Sequence, residues 1–580
     1  MTRYLTVREA LVALVVLFTA FAITDGHAEE VYQREKLVAI DKLSLSDGDV
    51  LDKLYLIPAD GQLVIEEGSE IKIDGGGIIW QKTGEVQFAS SCTFTGVGSR
   101  EFYGFHVQHS TVLSFNECVF SDIDLCPVPE DVRKLNADGD LGEDVRASLH
   151  NCMVSARFVK MTNCRITHIG VSKAGKALKR DGDTELVFAG MCHFDKCAFL
   201  ALDLVSGNEE QISYLVGLSF IFDGHIETEF LQKVRVRYYL KRFSDAEGGL
   251  IDSKDELCRF TECHFKELLL TRIMLNIGAV AAADCTFENI TIRSPFLFIM
   301  GVFINCTFKS LFQWSDTQVN SNVIRAVFGW HCYLSNCSVT VNDPTPEQVK
   351  DGPRLSRLGI FVGCGEARGC EFISDSSVPM VTARCWPCSD KNVYMSMRDT
   401  VIKRTKEYKG YPMIEVHGPN VESFAISDCV VESASTAFFQ CTDVVKTKVR
   451  VEKTAWIAPE SVQLSFGKAY DRGIDMCLFN TKDVIISKCS HLYASTFFAE
   501  RVVASDNPGI FENLFVNAKR ITFWGMDLEY LLACGYEPRD KYGPKSAYFD
   551  LPETKQMTED EIAEAERELA SALRRLKEAE

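Results

Sequence analysis

Cysteine and phenylalanine recur along the chain as a pair separated by one residue, and this pair sets the predicted elements. Cys92-Thr-Phe94, Cys118-Val-Phe120, Cys197-Ala-Phe199, Cys263-His-Phe265, Cys285-Thr-Phe287, Cys306-Thr-Phe308 and Cys370-Glu-Phe372 are the clear copies. Looser ones occur at Cys152, Cys164, Cys337, Cys429 and Cys489. Side chains alternate faces along a strand, so the Cys and Phe of each copy point one way and the residue between them the other. Asn151, Asn163, Asp284, Asn305, Asn336 and Asp428 stand just before their cysteines, where a turn is predicted. The cleanest intervals are 22 residues from Cys263 to Cys285 and 21 from Cys285 to Cys306. A strand returning at that interval predicts a solenoid. Equivalent residues of successive coils would stack about 4.8 Å apart, as an interior Cys ladder, a Phe ladder and an Asn/Asp ladder at the turn.

The opening stretch Leu63-Val-Ile65-Glu-Glu-Gly68-Ser-Glu-Ile71-Lys-Ile73-Asp-Gly75-Gly76-Gly77 adds to this pattern. With the repeat, it makes the chain resemble the right-handed parallel β-helix superfamily of pectate lyases, polygalacturonases and many bacterial surface proteins. The resemblance runs over roughly residues 40 to 530 and implies an all-β, right-handed parallel β-helix solenoid. It speaks to architecture and not to activity. A propeller would show four strands per blade, and a left-handed hexapeptide helix a tighter period.

The ends read differently. Arg3 and Arg8 precede an apolar run from Ala10 to Ile23, and Gly26-His27-Ala28 supplies small residues at the cleavage position. Residues 1–28 are therefore expected to be a signal peptide, leaving a secreted, periplasmic or cell-surface protein with no membrane span after its removal. Residues 29–60 are expected to cap the first coil, 61–535 to form the solenoid, and 536–557 to be a linker. Loops are expected to leave the solenoid at about 127–148 and 205–257. Thr558-Glu-Asp-Glu561 is a capping box opening a short C-terminal α-helix over 558–580. That helix is expected to be solvated, with docking on the last coil or self-association as alternatives.

The chain has 580 residues, beyond the roughly 250–300 at which a compact domain splits, which again favours an elongated repeat. Its formal net charge is -19, which opposes general affinity for nucleic acid or anionic membranes. Against that background the few basic clusters stand out. Lys233, Arg235, Arg237 and Tyr239 share one face of a predicted strand, and Lys446, Lys448 and Arg450 make a second such row. Cations beside an aromatic ring suit the carboxylates or sulfates of a polysaccharide, while the plainer reading is a solvated strand face.

Asn136-Ala-Asp138-Gly-Asp140-Leu-Gly142-Glu143-Asp144 offers oxygen ligands at alternate positions, with Asp138, Asp140 and Asp144 as candidate Ca²⁺ ligands and a plain acidic loop as the alternative. No motif demands a cofactor. Cys385-Trp-Pro-Cys388 has the spacing of a disulfide or redox dithiol, and with Cys364 and Cys370 also suggests zinc. The pairs Cys192/Cys197, Cys258/Cys263 and Cys332/Cys337 are five apart, placing one member in the ladder and the other before the turn.

The resemblance implies catalysis only through residues this chain lacks. There is no Asp-Asp dipeptide or Gly-His-Gly of the polygalacturonase type, and Arg293-Ser-Pro295 lacks the final Arg of the lyase stretch. The expected function is thus an elongated binding or structural surface, adhesin-like or in the cell envelope. The alternative is a lyase, hydrolase or epimerase acting on an acidic polysaccharide.

Overall fold

A computed structural model describes residues 37–108, 111–129, 132, 151–173, 184–205, 213–218, 258–270, 272–274, 280–292, 296–314, 326–342, 355–356, 358–384, 393–408, 411–418, 421–444, 447–469, 471–493, 495–505, 510–512, 515–524, 537–539 and 546–550, with helical positions 563, 567, 570–572, 574 and 575. These residues form an all-β parallel solenoid.

A complete coil makes three strand passes, and each pairs in parallel with its counterpart in the coils before and after. The first wall precedes the cysteine corner and includes Gly84–Ser90 and Thr111–Asn116. The second follows the corner, as in His264–Leu270 and Thr286–Ile292. The third closes the coil, as in Ser461–Ser465 and Asp483–Ser487. Longer strands serve two walls: Asn151–Thr162 pairs with Glu101–Val107 through its first half and with Thr111–Asn116 through its second.

The winding is in place by Leu37–Ala39, which pairs with Leu54–Ile57. At the other end Ser546–Asp550 runs antiparallel to Phe515–Trp524 and Glu537–Arg539 antiparallel to Ser546–Asp550. These two strands, inside the stretch expected as a linker, lie on the last coil and occupy an edge that would otherwise expose unpaired backbone groups.

The corner explains why the repeat reads as it does. The residue before each ladder cysteine adopts positive φ, for example Asn163 (53°), Asp284 (54°), Asn305 (52°) and Asp428 (54°). Asn and Asp tolerate that region better than other non-glycine residues. The cysteine then turns inward and its thiol donates to the carbonyl oxygen two residues earlier: Cys118 to Asn116 at 3.3 Å, Cys285 to Ala283 at 3.2 Å, Cys429 to Ser427 at 3.1 Å. Thr400, Thr454 and Ser495 take the same place with a hydroxyl, bonding Arg398, Glu452 and Tyr493 at 2.9, 2.8 and 3.1 Å. The ladder is therefore a hydrogen-bonding position that a small buried donor fills.

Two residues on, the phenylalanines stack as the period predicts. Ring centroids lie 4.9 Å apart for Phe199–Phe265, 4.5 Å for Phe265–Phe287 and 4.7 Å for Phe287–Phe308, all within 3° of parallel. At the turn, Asn305 Nδ2 donates to Asp284 Oδ1 (3.0 Å) and Asn336 Nδ2 to Asn305 Oδ1 (3.4 Å). Every described cysteine is buried and none is in a disulfide. Cys192 and Cys258, partners in register on the first wall, sit five residues before ladder members Cys197 and Cys263. Burial pushes the Cys429 and Cys489 thiols up to about 12.

Two segments outside the coils pack back on them. Cys126, Val128 and Val132 are buried against Leu54, Leu56, Ile79 and Tyr103. The C-terminal helix is docked, not solvated, and it lies on the side of the solenoid. Ala572 is buried with Val401, Val430, Ala455 and Leu478. These four stand in register, each directly after a ladder residue. Earlier coils are mostly polar there, with Thr93, Arg165, His264, Thr286, Thr307, Ser338 and Glu371 and only Val119 and Ala198 apolar between them. The switch from polar to apolar at one outward position creates the stripe that the helix covers. Among the described residues no helix is long and apolar enough to cross a membrane.

Candidate functional site

Along the first wall the inward positions are apolar, so every second residue points outward. Val159 and Met161, Cys192 and Phe194, and Cys258 and Phe260 are all buried in the core. The residues between them, Lys160, His193 and Arg259, therefore lie on the outer surface. Strand register aligns them: Lys160 faces His193, and His193 faces Arg259. Ser114 bounds the row before Lys160 and Ala281 bounds it after Arg259. One strand spacing of about 4.8 Å separates successive members.

An aromatic ring flanks the row. Phe158 meets the His193 ring edge to face, with centroids 4.7 Å apart at 82°, and Lys160 Nζ stands 5.1 Å from the Phe158 centroid. Lys160 Nζ also lies 3.3 Å from Glu85 Oε1, and Arg259 Nε donates to Thr261 Oγ1 at 3.3 Å. The Glu85 carboxylate is largely exposed, so its pairing with Lys160 contributes only about 0–1 kcal/mol and yields readily to a stronger anion.

His193 is held neutral. Burial is the main cause, and the neighbouring charges of Arg259 and then Lys160 add to it, lowering its pKa from 6.5 to about 4. An imidazole kept uncharged between two cations leaves room for one incoming negative charge. A bound anion would offset the repulsion that keeps the proton away.

A second outward cluster lies further along the same wall. Lys448, in the strand Lys448–Glu452, is exposed, and Arg450 in the same strand reaches Asp471 Oδ2 at 2.6 Å and Asp475 Oδ2 at 3.9 Å. Asp475 Oδ1 is 3.0 Å from His491 Nε2, whose ring stacks on Tyr493 with centroids 6.0 Å apart. Gly473, in register with Arg450, supplies the space: a Cβ there would collide with the guanidinium. The Arg450 charge is thus compensated by two carboxylates. The cluster joins a guanidinium, an imidazole and two carboxylates at the surface.

Of the residues singled out by sequence, Lys233, Arg235, Arg237, Tyr239, Lys446, Asp138, Asp140, Asp144, Cys385 and Cys388 lie outside the described residues. Among the described residues, no three His, Cys, Asp or Glu side chains are grouped to hold a metal ion. Sequence reasoning missed Lys160, His193 and Arg259 because they stand 33 and 66 residues apart. The signal that locates them is the Cys ladder, since each lies four residues before Cys164, Cys197 and Cys263.

No protein-family model matches the chain, and no curated protein was found to match it.

Proposed function

We propose that this is an exported solenoid of the right-handed, pectate-lyase-like kind that binds an acidic polysaccharide along its outer wall, as an adhesin-like or cell-envelope component. The observation that carries the reading is the in-register row Lys160–His193–Arg259 beside Phe158. A linear polyanion offers repeated charges along its length. The cations Lys160 and Arg259, two coils apart with the neutral His193 imidazole between them as a hydrogen-bonding group, meet it across the strands, and the Phe158 ring offers a face for a sugar. The overall negative charge of the protein favours a local, specific contact over general adhesion.

The test incubates residues 29–580 with pectate, alginate, glycosaminoglycans and neutral glycans, with and without Ca²⁺. Co-sedimentation and thermal shift report binding, and unsaturated-product absorbance and reducing ends report turnover. Salt-sensitive binding to acidic glycans, lost in Lys160→Ala/Arg259→Ala, supports the reading. Binding unchanged in that variant sinks it.

The second reading, a carbohydrate-active lyase, hydrolase or epimerase, is favoured by one observation. At His491 a carboxylate orients an imidazole beside a guanidinium, the ingredients of proton transfer next to an anion. Turnover abolished by Asp475→Asn would put that reading first.

A further inference from the structure

Three triplets in consecutive coils have the form Asn-x-Thr or Asn-x-Ser: Asn289-Ile290-Thr291, Asn305-Cys306-Thr307 and Asn336-Cys337-Ser338. A hydroxyl two residues after Asn, with no Pro between, is what N-linked glycosyl transfer requires of an exported chain. The motif alone is common, and what matters is where the fold puts each asparagine.

All three asparagines are exposed. Their φ angles are 54°, 52° and 52°: Asn305 and Asn336 occupy the left-handed corner before their cysteines, and Asn289 a second left-handed bend four residues after Cys285, within Thr286–Ile292. The middle residues Ile290, Cys306 and Cys337 are each only 1 % exposed. The left-handed bend thus divides each triplet, keeping the middle side chain in the core and leaving the amide at the surface. A sugar on the amide would stand in solvent without disturbing the core.

The hydrogen bonds of the ladder also survive. Asn305 Nδ2 donates to Asp284 and Asn336 Nδ2 to Asn305. A primary amide has two N–H groups, and glycosylation consumes one.

We propose that the left-handed asparagines Asn289, Asn305 and Asn336 are N-glycosylation sites, with a lipid-diphosphate-linked oligosaccharide as the donor. In the transfer, Nδ2 forms a bond to the anomeric carbon of the sugar. The bond from that carbon to the diphosphate oxygen breaks, the lipid diphosphate leaves with the electron pair, and Nδ2 gives up one proton. Asn305 and Asn336 belong to adjacent coils about 4.8 Å apart, so two glycans there compete for the same space. One chain therefore carries at most two: one on Asn289 and one on that pair. These glycans would cover the cysteine corner and the neighbouring bend in coils beyond that of Arg259, leaving the row Lys160–His193–Arg259 open.

This inference rests on the proposed export, and the experiment separates the two. The full chain is expressed in secretory eukaryotic cells, and cells and medium are assayed for location, N-terminus and mass before and after peptide N-glycosidase. The expected result is protein in the medium without residues 1–28, shifting on enzyme treatment, with Asn converted to Asp at the sites. Thr291→Ala, Thr307→Ala and Ser338→Ala keep each asparagine in place and should each remove acceptance at that site only. Secreted, processed protein lacking glycan at all three overturns the inference and leaves export standing. Unprocessed protein kept in the cytosol overturns both, and three glycans on one chain overturn the competition between Asn305 and Asn336.

Discussion

Arg575 donates from Nη1 to the backbone carbonyl oxygen of Asp428 at 2.8 Å, joining the C-terminal helix to a solenoid corner 147 residues earlier in the chain. With Ala572 seated on Val401, Val430, Ala455 and Leu478, that bond makes the helix a strap along the second wall. A charge-assisted hydrogen bond of this type contributes about 1–3 kcal/mol.

Arg575→Ala should therefore weaken docking by that amount, and Ala572→Glu should release the helix, because an unpaired carboxylate is not tolerated against an apolar stripe. Limited proteolysis should then cut the C-terminal segment faster, and amide exchange should rise at Val401–Arg404 and Val430–Ser433. The core stack of phenylalanines does not touch the helix, so the cooperative unfolding of the coils should persist. Equal protease resistance of Ala572→Glu and the parent protein would contradict docking.

His193 predicts a pH dependence with a definite sign. Its folded pKa, about 4, lies below the ordinary 6.5, so between these values the unfolded chain binds more protons than the folded one. Stability is free of this penalty above about pH 6.5, falls as pH drops through the window, and has lost the full contribution below about 4. An acidic glycan on the row should narrow the gap by favouring imidazolium, so its affinity should rise as pH falls from 6.5 towards 4. His193→Gln should flatten both profiles in thermal melts and binding titrations. Profiles unchanged by the substitution would remove His193 from the site.

Two glycines should respond differently to the same substitution. A Cβ at Gly96 would collide with the backbone carbonyl oxygen of Asp122, whereas at Gly473 it meets the mobile end of Arg450. Gly96→Ala should lose about 1–3 kcal/mol, as overpacking against a fixed backbone does. Gly473→Ala should lose only about 0–1 kcal/mol, the worth of a partly exposed ion pair, as Arg450 swings off Asp471 and Asp475. Denaturant unfolding of the two variants measures the difference.

The thiols should be silent in the folded protein. Of 22 cysteines, 19 are described, all buried and none in a disulfide, and burial keeps groups such as Cys429 and Cys489 protonated. Only thiolate reacts with a disulfide reagent, and burial in the core withholds even Cys197 and Cys306, which hydrogen bonds from neighbouring ladder thiols pull down to about 4. Native protein should give at most three equivalents, from Cys385, Cys388 and Cys534, and denaturation should expose the remainder. Rapid native modification of Cys285 or Cys306, read by mass spectrometry, would contradict the interior ladder.

The sequence by itself determined the coil. Period-two alternation in Cys-x-Phe, returning after 21 or 22 residues, suffices to place Cys263, Cys285 and Cys306 in one ladder and Phe265, Phe287 and Phe308 in another, because both periodicities are local. The cysteine pattern concealed that Thr400, Thr454 and Ser495 belong to the same ladder, since their kinship is one of hydrogen bonding and not of residue type.

The tertiary structure alone decided which residues meet across coils. Lys160, His193 and Arg259 align although their intervals are unequal, because the lengths between corners vary while the register at each corner does not. Arg450 reads as a free cation in its own strand and is compensated by Asp471 and Asp475 of the next. The helix reads as a solvated amphipathic end, yet Val401, Val430, Ala455 and Leu478 form a stripe only once four coils are stacked. Charge compensation and burial are relations between coils, and stacking is what creates them.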